Sequence, residues 1–98
     1  MTLRVEGFHN WPSAPPEHGF LASRHRHEFH VTAWKRVAHS DRDIEIIHLK
    51  RQVRQSLEVS TEFGAKSCED IAANLVARFD LTRCRVMEDG ENGAEVTA

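Results

Sequence analysis

The spacing of apolar residues along this chain changes twice. They occur at every second position at first, at every third or fourth position in the middle, and at every second position again near the end. Residues 2–11 alternate between apolar and polar side chains, which predicts a strand that ends before Pro12. Residues 27–37 repeat the alternation and predict a second strand. All three prolines lie in the segment between these strands, so residues 10–19 are predicted to form a loop that borders any site nearby.

The middle of the chain has the spacing of two amphipathic helices. Apolar residues recur every three or four positions from residue 46 to residue 57, which predicts a helix of about three turns. Ser67 and Asp70 have the spacing of a capping box, and apolar residues follow at helical spacing as far as Phe79. Residues 60–66 between the two helices are predicted to be a polar connection.

The alternation returns near the end of the chain. Residues 84–89 and 94–97 predict two short strands joined by a turn over residues 90–93. The order β-β-α-α-β-β predicts an α+β fold with an antiparallel sheet and both helices on one face. Ninety-eight residues suffice for a single domain, residues 1–98, but enclose a ligand poorly, so we expect a homo-oligomer.

Charge and hydropathy give no support to some classes of partner. Thirteen basic residues against fifteen acidic ones give a formal charge of −2, which offers no support for nucleic-acid binding. No apolar run approaches the about 20 residues of a membrane span, and no signal peptide is recognisable, so we expect a cytoplasmic protein. Cys68 and Cys84 are expected to be free thiols, with a disulfide as the alternative.

Histidine is concentrated in the first third of the chain. His25 and His27 lie two residues apart at the start of a predicted strand, so both imidazoles point to the same face. His9, near the end of the first strand, can complete a three-histidine zinc site with an open fourth position if the two strands are neighbours. The alternatives are that His18 replaces His9, or that these histidines are exposed and bind nothing.

Five segments, in order, carry motifs similar to those of one family. Val5-Glu6-Gly7-Phe8-His9 and His25-Arg26-His27 resemble two histidine motifs, and the other three segments are 44–50, 66–72 and 84–88. Together they resemble the 6-pyruvoyl/6-carboxy-tetrahydropterin synthases, which have the T-fold. The matched motifs cover almost the whole chain. Arg26 departs from them, since the family has glycine between its two histidines.

The resemblance implies a function and an assembly. It implies zinc on His9, His25 and His27, and a lyase acting on dihydroneopterin triphosphate or a derivative in pterin or queuosine/7-deazapurine biosynthesis. Glu88 would accept hydrogen bonds from the pterin or purine-like ring, unless it is an ordinary surface glutamate. The family builds its sites between subunits, commonly in hexamers made of two trimers.

The family's proton-transfer groups are missing. Its catalytic cysteine corresponds to Leu21, and its Leu-Asp-His motif either corresponds to Leu57-Glu58-Val59 or is deleted. Glu17, His18 and Glu58 are therefore the candidate catalytic residues. Two alternatives to an enzyme remain: a catalytically silent T-fold protein that binds a pterin or assembles with a partner, and a small interaction module with incidental histidines.

Overall fold

The computed structural model describes residues 1–98 as five strands, two α-helices and one short 3-10 helix. The strands are β1 (Thr2–His9), β2 (His25–Trp34), β3 (Glu62–Gly64), β4 (Arg83–Glu88) and β5 (Asn92–Thr97). The helices are α1 (Ile46–Glu58) and α2 (Cys68–Phe79), and the 3-10 helix spans Pro16–Leu21. The predicted α+β class is confirmed. The first strand ends two residues earlier than predicted, and the second begins at His25 and ends at Trp34.

The five strands form one mixed sheet in the order β3-β1-β2-β4-β5. The four longer strands pair antiparallel, as predicted, but β3 pairs parallel with β1. The prediction of a purely antiparallel sheet is therefore wrong at this edge. The connection between the helices carries no alternation that marks a strand, but the amides of Phe8 and Asn10 donate to the carbonyls of Thr61 and Gly64 at 2.8 and 2.9 Å. These bonds draw the connection onto the end of β1.

One face of the sheet carries the core. In the register of β1, β2 and β4, Val31 lies opposite both Leu3 and Val86, and Phe29 lies opposite Val5. All five side chains are buried together with apolar residues of α1 and α2, so both helices cover this face. Burying one such side chain contributes about 1.5–3 kcal/mol. The covered face is the one on which the histidines lie.

Local hydrogen bonds explain where the helices begin. Glu45 precedes α1 and accepts a hydrogen bond from the amide of Ile47 at 3.0 Å. Ser67 and Asp70 form the predicted capping box at the start of α2, with distances of 3.2 and 3.3 Å. Because α2 begins here, Cys68 is buried in its first turn, beside the end of β4.

Two further expectations can be compared with the structure. Neither α-helix has the length and apolar character needed to cross a bilayer. Cys68 and Cys84 are both buried free thiols, as predicted. Burial raises the pKa of the Cys84 thiol to about 11, so this group is protonated at neutral pH.

Candidate metal centre

Three histidines converge at the end of the sheet where β1 finishes and β2 begins. His9 and His25 face each other across the antiparallel pair, and His27 follows two residues later on the same face. The ring centroids lie 4.5 Å apart for His9 and His25, 4.9 Å for His25 and His27, and 5.3 Å for His9 and His27. One ligand atom from each residue lies within 4.8 Å of the other two. This group can hold a metal ion, and His9, rather than His18, is the third member.

Arg26 fits this arrangement without a special backbone conformation. It pairs with Phe8 inside the regular β1–β2 ladder, and its side chain is exposed on the opposite face, 3.5 Å from Glu6. It has no positive φ angle, so nothing in this strand requires glycine between the two histidines. The sequence difference from the family motif leaves the convergence of His25 and His27 intact.

Each histidine is held by an oxygen acceptor at its Nδ1 atom. The acceptors are the Lys66 carbonyl for His9 at 3.0 Å and the Ser23 carbonyl for His25 at 2.8 Å. Because a carbonyl only accepts, both Nδ1 atoms must carry the proton, which leaves the lone pair of each neutral ring on Nε2. Such outer hydrogen bonds fix the tautomer and orientation of metal-binding histidines.

Asp89 plays the same part for His27. Its Oδ2 atom lies 2.7 Å from His27 Nδ1, and its Oδ1 atom accepts a hydrogen bond from the Glu28 amide at 2.9 Å. These bonds, with the backbone amide the larger cause, lower the pKa of Asp89. Asp89 and Gly90 have φ angles of 54° and 74°, which places them at the centre of a tight β4–β5 hairpin turn. The turn therefore begins earlier than the predicted residues 90–93, and Asp89 lies in it rather than in the strand. The Asp-Gly pair is a sequence signal for this turn, but the sequence analysis assigned Asp89 no role.

Two of the remaining ring nitrogens have no partner. His9 Nε2 and His27 Nε2 are both buried and make no hydrogen bond. Leaving a buried polar atom unpaired costs about 1–3 kcal/mol, so native folds rarely do so without a reason. Neighbouring ligands of a tetrahedral zinc ion lie about 3.3 Å apart, so an ion would draw the three rings together and satisfy both atoms. The donor set therefore fits a metal ion.

Glu88, the last residue of β4, lies against the histidines. Its Oε1 atom is 3.1 Å from His9 Nε2, and its Oε2 atom is 3.4 Å from His27 Nε2. The thiol of Cys68 donates to Oε1 at 3.7 Å. Burial, with a smaller contribution from Glu88, raises the pKa of Cys68 to about 12, so the thiol remains a donor at neutral pH. Sequence reasoning placed Cys68 on a helix but assigned it no role.

A cavity of about 340 Å³ opens beside the candidate metal group, which consists of His9, His25 and His27. Trp11, at the start of the predicted loop, and Leu21, two residues beyond its end, both line the cavity, and the Trp11 amide donates to the Leu21 carbonyl at 2.7 Å. Two carboxylates, Glu69 and Glu88, face the same space. The predicted loop therefore borders the metal group, and the cavity falls within the size range of small-ligand sites.

The three candidate catalytic residues lie elsewhere. Glu17 and His18 are exposed on the 3-10 helix and do not line the cavity. Glu58 is exposed near the end of α1, where it lies 3.8 Å from Arg54. Leu21, at the position matched to the family's cysteine, lines the cavity, and Val59 is exposed. The catalytic roles of Glu17, His18 and Glu58 stay predictions.

The chemistry of the site follows from its donors. Imidazole nitrogens and a carboxylate suit zinc and the neighbouring divalent transition metals, and three neutral imidazoles leave the charge of the ion uncompensated. The carboxylates of the cavity can accept hydrogen bonds from a ligand rich in N–H groups. No protein-family model and no curated protein matches this chain.

Proposed function

We propose that this chain is a zinc protein of the tetrahydropterin synthase type that binds a pterin or a related purine-like heterocycle beside the metal. The observation that carries the proposal is the convergence of His9, His25 and His27, each with Nδ1 held by an oxygen. Two of them, His9 and His25, line a cavity. The four antiparallel strands with helices on one face support a T-fold, with β3 as an addition at the edge.

The cavity offers what a flat heterocycle requires. Glu69 and Glu88 can accept the paired ring N–H and amino hydrogens of a pterin, and the resemblance assigns this role to Glu88. Trp11 and Leu21 supply apolar wall that excludes water from the ring. Zinc bound by the three histidines would supply a Lewis acid for a ligand oxygen. We also propose that further copies of the chain complete the walls of the cavity in a trimer-based hexamer.

A catalytically silent binder is the second candidate, and Leu21 is the observation that favours it. An apolar side chain cannot move a proton, and it lines the cavity where the family's cysteine would be matched. Glu17, His18 and Glu58 do not line that cavity, so they carry a proton in the reaction only if the loop or a neighbouring subunit brings them closer. The two candidates share the metal and the ligand class and differ in turnover.

The test has two stages. Metal analysis of untagged protein should give about one zinc per chain, and His25→Ala should lose it while the exposed His48→Ala keeps it. Correctly folded protein that binds no zinc would refute the metal site. Zinc-loaded protein is then incubated with dihydroneopterin triphosphate, and the pterins are separated by chromatography. A cleaved or rearranged side chain identifies an enzyme, and binding without product identifies the silent binder.

A further inference from the structure

We infer that Glu88 is the fourth ligand of the metal in the resting protein, so that three imidazoles and one carboxylate close the coordination shell. The inference rests on the proposed metal site and goes beyond it, because the resemblance relates Glu88 only to the heterocycle. It is carried by the position of Glu88 in the sheet, its distances to two histidines and the absence of hydrogen bonds between them.

The register of the sheet brings Glu88 to the histidines. Glu88 pairs with Phe29, two residues beyond His27 on the same face of β2. Its side chain is therefore a diagonal neighbour of His27, within reach of a long side chain. The buried ring of Phe29 lies below the group, 5.2 Å from the His9 ring and 5.9 Å from the His27 ring. Phe29 therefore packs against the same two imidazoles that Glu88 approaches.

The distances already match those between ligands of one ion. Glu88 oxygens lie 3.1 Å from His9 Nε2 and 3.4 Å from His27 Nε2. With metal–ligand bonds of about 2.0–2.1 Å, a tetrahedral zinc ion separates neighbouring ligand atoms by about 3.3 Å. Glu88 therefore needs little movement to join the shell.

These contacts are not hydrogen bonds. Both Nε2 atoms are without a hydrogen-bond partner although a carboxylate oxygen is close, so the nitrogens are not directed at the oxygen. When both rings are neutral, the Nε2 lone pairs and the carboxylate oxygens repel one another, and a metal ion between them removes that repulsion. The Cys68 thiol donates to Oε1 and helps to keep the carboxylate in place. A metal ion bound by both Nε2 atoms and by the Glu88 carboxylate would account for this arrangement.

A closed shell changes how a ligand would enter. Structural zinc sites have four protein ligands, whereas catalytic sites keep one position for water or substrate. Here a heterocycle that hydrogen-bonds to Glu88 would have to draw the carboxylate away from the metal. Binding of the heterocycle and opening of the metal are then one event, which selects ligands able to do both.

The experiment uses the full chain loaded with Co²⁺ in place of zinc and follows its visible absorption during addition of azide. Wild-type protein should give no spectral change, because the protein fills all four positions. Glu88→Gln should give a clear azide-dependent change, since its fourth position is open. Zinc affinity, measured by competition with a chelator, should fall more than about 100-fold in Glu88→Gln, beyond the 10–100-fold typical of a residue that only orients a ligand.

Two variants serve as controls. Glu69→Gln removes the other cavity carboxylate and should change neither the azide response nor the zinc affinity more than about twofold. Asp89 orients His27 and is not proposed as a metal ligand. The spectrum of Asp89→Asn should therefore not change on addition of azide, although its zinc binding should be weaker.

An azide response in the wild type, or a loss of zinc affinity in Glu88→Gln of no more than about 100-fold, would overturn the role of Glu88 and leave the histidine site standing. The wild-type response decides the question even if Glu88→Gln fails to fold. Wild-type protein that binds neither ion would refute the proposed function itself, and this inference with it.

Discussion

Zinc should stabilise the folded chain strongly, and His25→Ala should abolish that effect. The ligands come from two strands that separate on unfolding, so the unfolded chain retains only the His25 and His27 pair. At a free zinc concentration of 100 times Kd, binding to the folded state adds about 2.7 kcal/mol to the free energy of unfolding. For a domain of this size that corresponds to a rise in Tm of roughly 10–20 °C.

The measurement is thermal unfolding by circular dichroism, with zinc and with EDTA. In EDTA, His25→Ala should unfold within about 0.5 kcal/mol of wild type, because its ring is only partly buried and its one hydrogen bond is exposed to solvent. With zinc, only the wild type and the control His48→Ala should shift. An equal zinc-induced rise in His25→Ala would show that zinc binds elsewhere, and no rise in wild type would refute the site.

Three further predictions concern residues around the site. Asp89→Asn should weaken zinc binding about 10–100-fold in a chelator competition, because the amide no longer offers the charged oxygen that orients a ligand; unchanged affinity would contradict this role. In metal-free protein at pH 8, Cys68 and Cys84 should react with a disulfide reagent far more slowly than in urea, since burial raises their pKa values to about 12 and 11; equal rates would contradict the burial. Gly7→Val should lower the free energy of unfolding by about 1–3 kcal/mol in urea titrations, because a Cβ there overlaps an aromatic ring, whereas Gly19→Ala, in open space, should change it little.

The local elements of this fold could be predicted because their signals are local. Alternation identified the four longer strands, although β5 begins at Asn92, two residues earlier than predicted. The Ser67–Asp70 capping box marked the start of α2. β3 could not be predicted, because its three residues form a strand only through bonds to β1. A tertiary contact also positions β3 at this edge of the sheet. The ring of Phe63 packs over Gly7, where any other side chain would overlap that ring.

The metal group was predictable for a different reason. Two residues of equal parity on one strand share a face, so His25 and His27 needed only one neighbouring strand that ends in His9. The supporting oxygens could not be predicted in the same way. Lys66 contributes a backbone carbonyl, which no side-chain pattern reveals, and Asp89 reaches His27 only because its backbone adopts a left-handed conformation. Spacing along the chain carries no information about either.

The three-histidine group is a continuation of the core rather than an addition to the surface. Along the inward face of β1, the apolar Leu3 and Val5 give way to Gly7 and then to His9, which is only 7% exposed. A leucine at the last position would extend the core and would leave no buried nitrogen unpaired. The chain instead keeps an imidazole there, with Nδ1 bonded and Nε2 unsatisfied, at a cost of about 1–3 kcal/mol. A metal ion bound at Nε2 would offset that cost, so the burial of His9 supports a metal ion independently of the spacing of the histidines.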